Sequence, residues 1–237
     1  MKIAIVTGAN GNLGRCFLKT LKTLRYFVYA LDIDIKGLEN GEFVKAAAID
    51  ITDERSVKKF YKGLKRLDLL VNNAGIGVFT LFEKRSVKEF RKVMDVNLLG
   101  TFLMSRSAVE IMKNQKSGKI INIGSIYGQV SSDPRMYGRS GRDNSEVYSM
   151  TKAGVIMLTK YMAAYFAPYN IQTNCISPGG IFNNQASGFV EKYNFKTPMG
   201  RMAGVDEMQG ALKFLISDES NYVNGQNITV DGGFTAW

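Results

Sequence analysis

Short apolar runs alternate with segments of helical period along the whole chain. KIAIVT (2–7), FVYALDID (27–34), VKAAAID (44–50), LDLLVNNAG (67–75), KIINIGSIYG (119–128), NIQTNCISPGG (170–180) and NGQNITVDGG (224–233) read as strands with their exits. Continuous apolar runs with polar or glycine-rich ends suit buried parallel strands. Between them, RCFLKTLKTLR (15–25), TDERSVKKFYKGL (52–64), 83–114, 145–166 and DEMQGALKFLISD (206–218) read as helices. Thr52 is the expected N-cap of the second helix, with Asp53 and Glu54 in its first turn. The helix at 83–114 is expected to break near Gly100, and the buried-looking Asn97 requires a polar partner. Strand alternating with helix predicts an α/β fold, with no repeat and no linker. The chain therefore reads as a single domain over 1–237.

Two stretches fall outside this rhythm. Residues 129–144 form a polar loop longer than most strand-to-helix connections, and long loops often carry function. Arg135, Arg139 and Arg142 lie in it. They read either as a grip for a phosphate or carboxylate or as spare charge on a solvated loop. Residues 181–203, with Phe182, Phe189, Tyr193 and Phe195, read as a mobile substrate lid.

The candidate chemistry centres on 145–166. Tyr148 and Lys152 are four residues apart, so a helix sets them about one turn apart on one face. An ammonium beside a phenol favours the phenolate and suits the pair for proton transfer. At the first strand end, GANGNLG supplies Gly8 for a tight turn, Gly11 for close backbone approach to a pyrophosphate, and Gly14 for helix–strand packing. Asp32, 24 positions after Gly8, ends the second strand and can accept bonds from the ribose hydroxyls of NAD. Ile33 follows it rather than an arginine, which favours NAD over NADP; Asp34 could share the role. Ser125 sits at the end of the fifth strand, where open α/β sheets bind ligands.

Composition narrows the chemistry. Histidine is absent and the two cysteines, Cys16 and Cys175, cannot build a cysteine-rich zinc site, so no metal is expected. Both read as buried thiols in a reducing cytoplasm. Met1 leads straight into a strand-like run, and no apolar stretch reaches membrane-spanning length, so neither a leader nor a membrane partner is expected. The formal charge is +10, and residues 1–119 hold 22 Lys/Arg against 12 Asp/Glu. That excess reads as solvated helix faces, as a field for an anionic substrate, or as a nucleic-acid surface. The absence of an aromatic platform argues against nucleic acid.

TGANGNLG (7–14), NNAG (72–75), YSMTK (148–152), SPGG (177–180) and the last strand NGQNITVDGG together resemble the classical short-chain dehydrogenase/reductase family over nearly the whole chain. The resemblance implies a Rossmann-type doubly wound fold, with a seven-stranded parallel sheet and helices on both faces. It implies Tyr148 as catalytic acid/base, Lys152 on the nicotinamide ribose, Ser125 positioning the substrate oxygen, and Asn97 holding a relay water. It implies a cofactor site for NAD from Gly8, Asn10, Gly11, Asn12, Leu13, Gly14, Asp32, Ile33, Asp50, Ile51, Asn73, Ala74, Gly75, Tyr148, Lys152, Pro178, Gly179, Ile181 and Asn183. A homotetramer or homodimer is the implied assembly. The departures are Asn12 where the pattern has glycine, Asn183 where many relatives have threonine, and a wide Ser125–Tyr148 spacing that the 129–144 loop accounts for. A narrower likeness, carried by GSIYG, VYSMTKAGVIMLTKYMAAYF, NCISPGGIFNNQ and GRM, is to oxidoreductases of flagellin glycosylation and nonulosonic (legionaminic, acylneuraminic) acid pathways. It implies a sugar, sugar phosphate or sugar nucleotide as substrate. The alternative within the family is an NADPH-dependent reductase of 3-oxoacyl thioesters on acyl carrier protein.

Overall fold

The structure is a computed structural model that describes residues 1–138 and 140–237. Its strands are β1 (Ile3–Thr7), β2 (Phe27–Asp32), β3 (Val44–Ala48), β4 (Leu69–Asn72), β5 (Gly118–Ile123), β6 (Ile171–Pro178) and β7 (Asn227–Val230). All seven pair in parallel in the order β3-β2-β1-β4-β5-β6-β7. The order reverses between β1 and β4, which opens a crevice at the carboxyl ends of the strands. The helices are α1 (Asn12–Thr23), α2 (Glu54–Tyr61), α3 (Val87–Met94), α4 (Thr101–Gln115), α5 (Glu146–Phe166), α6 (Ser187–Lys196) and α7 (Gln209–Ile216).

The two-residue period of the strands splits the core into two layers. Ala4, Val6, Leu69, Val71 and Ile121 face Phe17 and Leu21 of α1 and Leu212 and Leu215 of α7. Their neighbours Ile5, Leu70 and Ile120 face Tyr61 of α2 and Leu103, Met104 and Met112 of α4. Both faces are covered, which is why the strands read as continuous apolar runs rather than as alternating ones. A third cluster of Ile126, Met136, Tyr193, Met202 and Phe234 lies under α6. Cys16 and Cys175 are both buried free thiols.

Several boundaries differ from the sequence expectation. The first helix starts at Asn12 rather than Arg15, because the glycine turn itself supplies the N-terminus. Asp53, not Thr52, caps α2, accepting from the Arg55 and Ser56 N–H groups; Thr52 bonds Asp50 instead. The 83–114 region is a short 3₁₀ turn at Phe82–Lys84, then α3, a π-helical segment at Asp95–Gly100, and α4. The predicted break at Gly100 is therefore a whole widened turn, and it contains Asn97. Such π segments frequently sit at functional sites. The 181–203 segment is also more ordered than a loop. It carries α6, and its base is closed by a bridge between Ile181 and Ala203. No helix among the described residues is long and apolar enough to cross a membrane.

Candidate active site

The crevice at the strand ends is a cleft of about 1240 Å³. At one end, Thr7 finishes β1 and its hydroxyl accepts from the N–H groups of Asn73 and Ala74, each at 3.1 Å. The Asn73 amide returns bonds to the Thr7 and Gly8 carbonyls. These contacts lock the β1 turn against the β4 exit. Gly8 has φ of +62°, and a Cβ on it would lie 2.7 Å from the Ala74 Cα. A Cβ on Gly14 would lie 2.1 Å from the Gly8 carbonyl oxygen. Only glycine fits at either position. The N-terminus of α1 has Gly11 as its N-cap with no side-chain cap, so its first N–H groups face the cleft free to bind an anion.

Asp32 accepts the Asn10 N–H at 2.9 Å and the Asp34 N–H at 3.2 Å. A carboxylate has further lone pairs, so it can still accept ribose hydroxyls. Beside it, Arg15 donates to the Asn10 carbonyl and side chain and to the Gly37 carbonyl. Its guanidinium thereby ties the turn to the chain after β2. A glycine cradle, an uncapped helix N-terminus and a strand-end carboxylate are the donor set that an NAD-type dinucleotide requires.

At the other end, Ser145 caps α5 by accepting the Tyr148 N–H at 3.3 Å. Val147, Thr151, Val155 and Thr159 form the buried face of α5, which sets Tyr148 and Lys152 at the cleft edge. Lys152 is buried, and its ammonium donates to the Ile123 carbonyl at 2.7 Å. The same ammonium lies 5.6 Å from the centre of the Tyr148 ring. Ser125, also buried, accepts the Tyr127 N–H at 3.1 Å, which leaves its hydroxyl proton free to donate. Asn97 is buried; its side chain accepts the Ile76 N–H and donates to the Ile76 carbonyl and the Thr151 hydroxyl. It pins the β4 exit to α5 across Gly75, where a Cβ would meet the Lys152 ammonium at 3.3 Å and the Asn97 Oδ1 at 3.5 Å.

Of the positions singled out in the sequence, Gly8, Asn10, Gly11, Asn12, Leu13, Asp32, Ile33, Asp50, Ile51, Asn73, Ala74, Gly75, Ser125, Tyr148, Lys152, Pro178, Gly179 and Ile181 line this one cleft. Three do not. Gly14 lies behind the turn that it packs against, Asn97 is one layer deeper, and Asn183 accepts a bond from Asn12 at 2.9 Å. Arg139 lies outside the described residues. Sequence reasoning missed Thr7, Phe79, Lys92, Tyr127, Tyr137, Asn144 and Lys192. The last six line the cleft. Tyr127 was legible as the neighbour of Ser125, but the others arrive from distant loops with no motif. Burial pushes the Tyr137 and Tyr193 phenols up to about 12 and the Tyr127 phenol up as well, so all three remain protonated donors at neutral pH.

Comparison with known proteins agrees with this geometry. The family model described as "Enoyl-(Acyl carrier protein) reductase" matches residues 28–235. A curated 3-oxoacyl-(acyl-carrier-protein) reductase FabG from Buchnera aphidicola is 35% identical over 249 residues, covering 98% of this chain and 96% of the relative. A solved short chain dehydrogenase from Leptospira borgpetersenii with bound NAD+ is 42% identical, with a TM-score of 0.94, covering 99% of this chain and 92% of that one. A gluconate 5-dehydrogenase from Burkholderia cenocepacia, in complex with NADP and tartrate, is 28% identical with a TM-score of 0.88, covering 100% of this chain and 96% of that one. The chain belongs to the short-chain dehydrogenase/reductase family and is an oxidoreductase with that family's Rossmann-type fold.

Proposed function

We propose that the protein interconverts a secondary alcohol and a ketone using NAD(H). The observation that carries this is the convergence of Ser125, Tyr148 and Lys152 on the cleft that also holds the glycine turn and Asp32. When bound, the nicotinamide cofactor supplies or accepts the hydride. The chain does the rest. Ser125 donates to the substrate oxygen and fixes it near Tyr148. The Tyr148 hydroxyl gives or takes the proton at that oxygen. The Lys152 ammonium keeps two protons beyond its bond to Ile123 for the cofactor ribose. Asn97 holds the β4 exit and α5 at fixed separation, and a relay water beside it would return protons to Lys152. Replacing Tyr148 with Phe should lower turnover by roughly 100- to 10,000-fold, as loss of a general acid does, and should leave NADH binding intact. Unchanged turnover in Y148F would overturn the mechanism.

Two substrate readings rest on different observations. The names of the curated relatives support a 3-oxoacyl thioester on acyl carrier protein, and theirs is the broader support. The cleft supports a hydroxylated, sugar-type substrate. Its far end holds the phenols of Tyr127, Tyr137 and Tyr193 beside Asn144 and Gln185. Such donors suit hydroxyl groups, while Phe79, Met136, Phe189 and Met202 in the same lining suit an acyl chain. The narrower assignment to flagellin glycosylation or nonulosonic acid metabolism stays a proposal carried by the sequence motifs. Titrating the protein with NADH and NADPH separates the two readings. Preference for NADH by tenfold or more favours the sugar-type reading, and preference for NADPH moves the acyl reductase to the front.

The assembly we propose is a homodimer or homotetramer, and the compartment cytoplasmic. Met150, Met157, Tyr161 and Tyr165 form an exposed apolar stripe on α5, with Leu99 and Phe102 exposed beside it. Stripes of this kind mark contact surfaces.

A further inference from the structure

The two ends of the cleft differ in charge. The only carboxylates lining it among the described residues are Asp32 and Asp50, both at the adenosine end. Beyond these the lining holds Lys92, Arg142 and Lys192 and no acidic side chain. None of these three cations forms an ion pair among the described residues. Arg142 is also held in place. Its guanidinium lies 4.4 Å from the centre of the Phe79 ring, and the neighbouring Asp143 N–H bonds the Phe79 carbonyl at 3.1 Å. Lys192 is fixed from the lid side by donating to the Arg135 carbonyl at 3.0 Å.

One short segment links the reacting group to Arg142. A Cβ on Gly77 would lie 3.6 Å from the Tyr148 ring, and Phe79, two residues on, carries Arg142. An aromatic ring beneath a guanidinium leaves its edge free for a bidentate bond to a carboxylate or phosphate.

We propose that Arg142, stacked on Phe79 and assisted by Lys192, is the specificity-determining grip for a terminal carboxylate or phosphate of a small hydroxylated substrate. This deepens the sugar-type reading and rests on the oxidoreductase reading of the same cleft. It makes the substrate a sugar acid or sugar phosphate rather than a neutral polyol. Lys192 sits on α6, so an anion bridging Arg142 and Lys192 would also hold the lid against the 129–144 loop.

Calorimetric titration of the NADH-saturated protein tests this with two matched pairs. Tartrate and threitol share a four-carbon skeleton and differ by carboxylates; glycerol 3-phosphate and glycerol differ by a phosphate. The anionic member of at least one pair should bind tenfold or more tightly than its neutral partner, and the better pair identifies the anion. R142M should weaken that anion tenfold or more without changing NADH affinity. F79A, which removes only the ring beneath the guanidinium, should weaken it in the same direction. Equal binding of charged and neutral partners, no binding of either anion, or unchanged binding in R142M would overturn the proposal. Failure of the oxidoreductase reading would show separately, as absent NADH binding in the wild type or full turnover in Y148F.

Discussion

At the scale of single residues, Gly8 and Asp32 are the proposed determinants of cofactor fit. Gly8→Ala would place a Cβ against the Ala74 backbone at a φ of +62°. The left-handed backbone alone costs an L residue about 1–2 kcal/mol. The variant should lose NADH affinity by tenfold or more, and a fluorescence titration reads this directly. Asp32→Ser should narrow the gap between NADH and NADPH from the NADPH side, since it removes the charge that repels the 2′-phosphate. If the ratio of the two dissociation constants is unmoved, Asp32 acts only as the cap for the Asn10 and Asp34 N–H groups. Ser125 shows the opposite relation to its sequence. Its bond from the Tyr127 N–H fixes the hydroxyl's orientation, and neither residue's role could be told from the other without coordinates.

At the scale of elements, α5 carries Tyr148 and Lys152 and is itself held at its first turn. Arg85, with a side chain only 4% exposed, donates to Glu146 at 3.0 Å, two residues before Tyr148. Arg85 Nη1 is buried without a hydrogen-bond partner. Removing one partner of a buried ion pair costs about 3–5 kcal/mol, and the 31% exposure of Glu146 places this pair below that range. Arg85→Met should therefore cost about 2 kcal/mol, which for a chain of this size lowers Tm by roughly 4–8 °C. Thermal unfolding followed by circular dichroism measures it. A Tm within a degree of wild type would mean that the pair adds nothing. On α6, Tyr193 accepts the Gly180 N–H, stacks on Phe234 at 4.7 Å and lines the cleft. One side chain thus joins the Pro–Gly exit, α6 and the C-terminal tail.

At the scale of the whole molecule, charge and exposed apolar surface set behaviour in solution. Tyr137 and Tyr193 hold their protons up to about 12 when folded, because burial disfavours the phenolate. In the unfolded chain they release them near 10. The unfolded state therefore binds fewer protons between those values, and these two groups make stability fall as pH rises from about 10 to about 12, with no effect below. Tyrosinate absorbance against pH should rise first for exposed phenols such as Tyr161, Tyr165 and Tyr222, with a further rise that accompanies loss of structure. Ionisation of all eleven tyrosines with the fold intact would show that the two buried phenols are accessible. Met157→Lys with Tyr161→Glu, on the exposed stripe of α5, should shift the protein towards monomer in light scattering; a mass unaffected by both changes would exclude that face as the contact.

The sequence by itself determined the order of elements and the positions of the glycine turn, Asp32, Ser125, Tyr148 and Lys152, while the seven-stranded parallel sheet came with the family resemblance. These are legible because they depend on local rules: apolar runs for buried strands, glycine where a Cβ cannot fit, and four-residue spacing on a helix. It also placed Asn97 correctly as a polar group in need of partners. Tertiary structure alone decided which partners these were, since Ile76 and Thr151 are distant along the chain. The π-helical turn at Asp95–Gly100 was invisible for a related reason. Gly100 abuts the Ile51 side chain, where a Cβ would lie 2.6 Å away, and that contact has no local signature. The charged end of the cleft belongs to the same class. Arg142 was legible only as one of several loop arginines, and folding brought it onto Phe79, more than sixty residues earlier, within reach of the same cleft as Tyr148. Local sequence fixes what depends on neighbours along the chain; a substrate pocket depends on loops that meet only once the sheet has set their ends side by side.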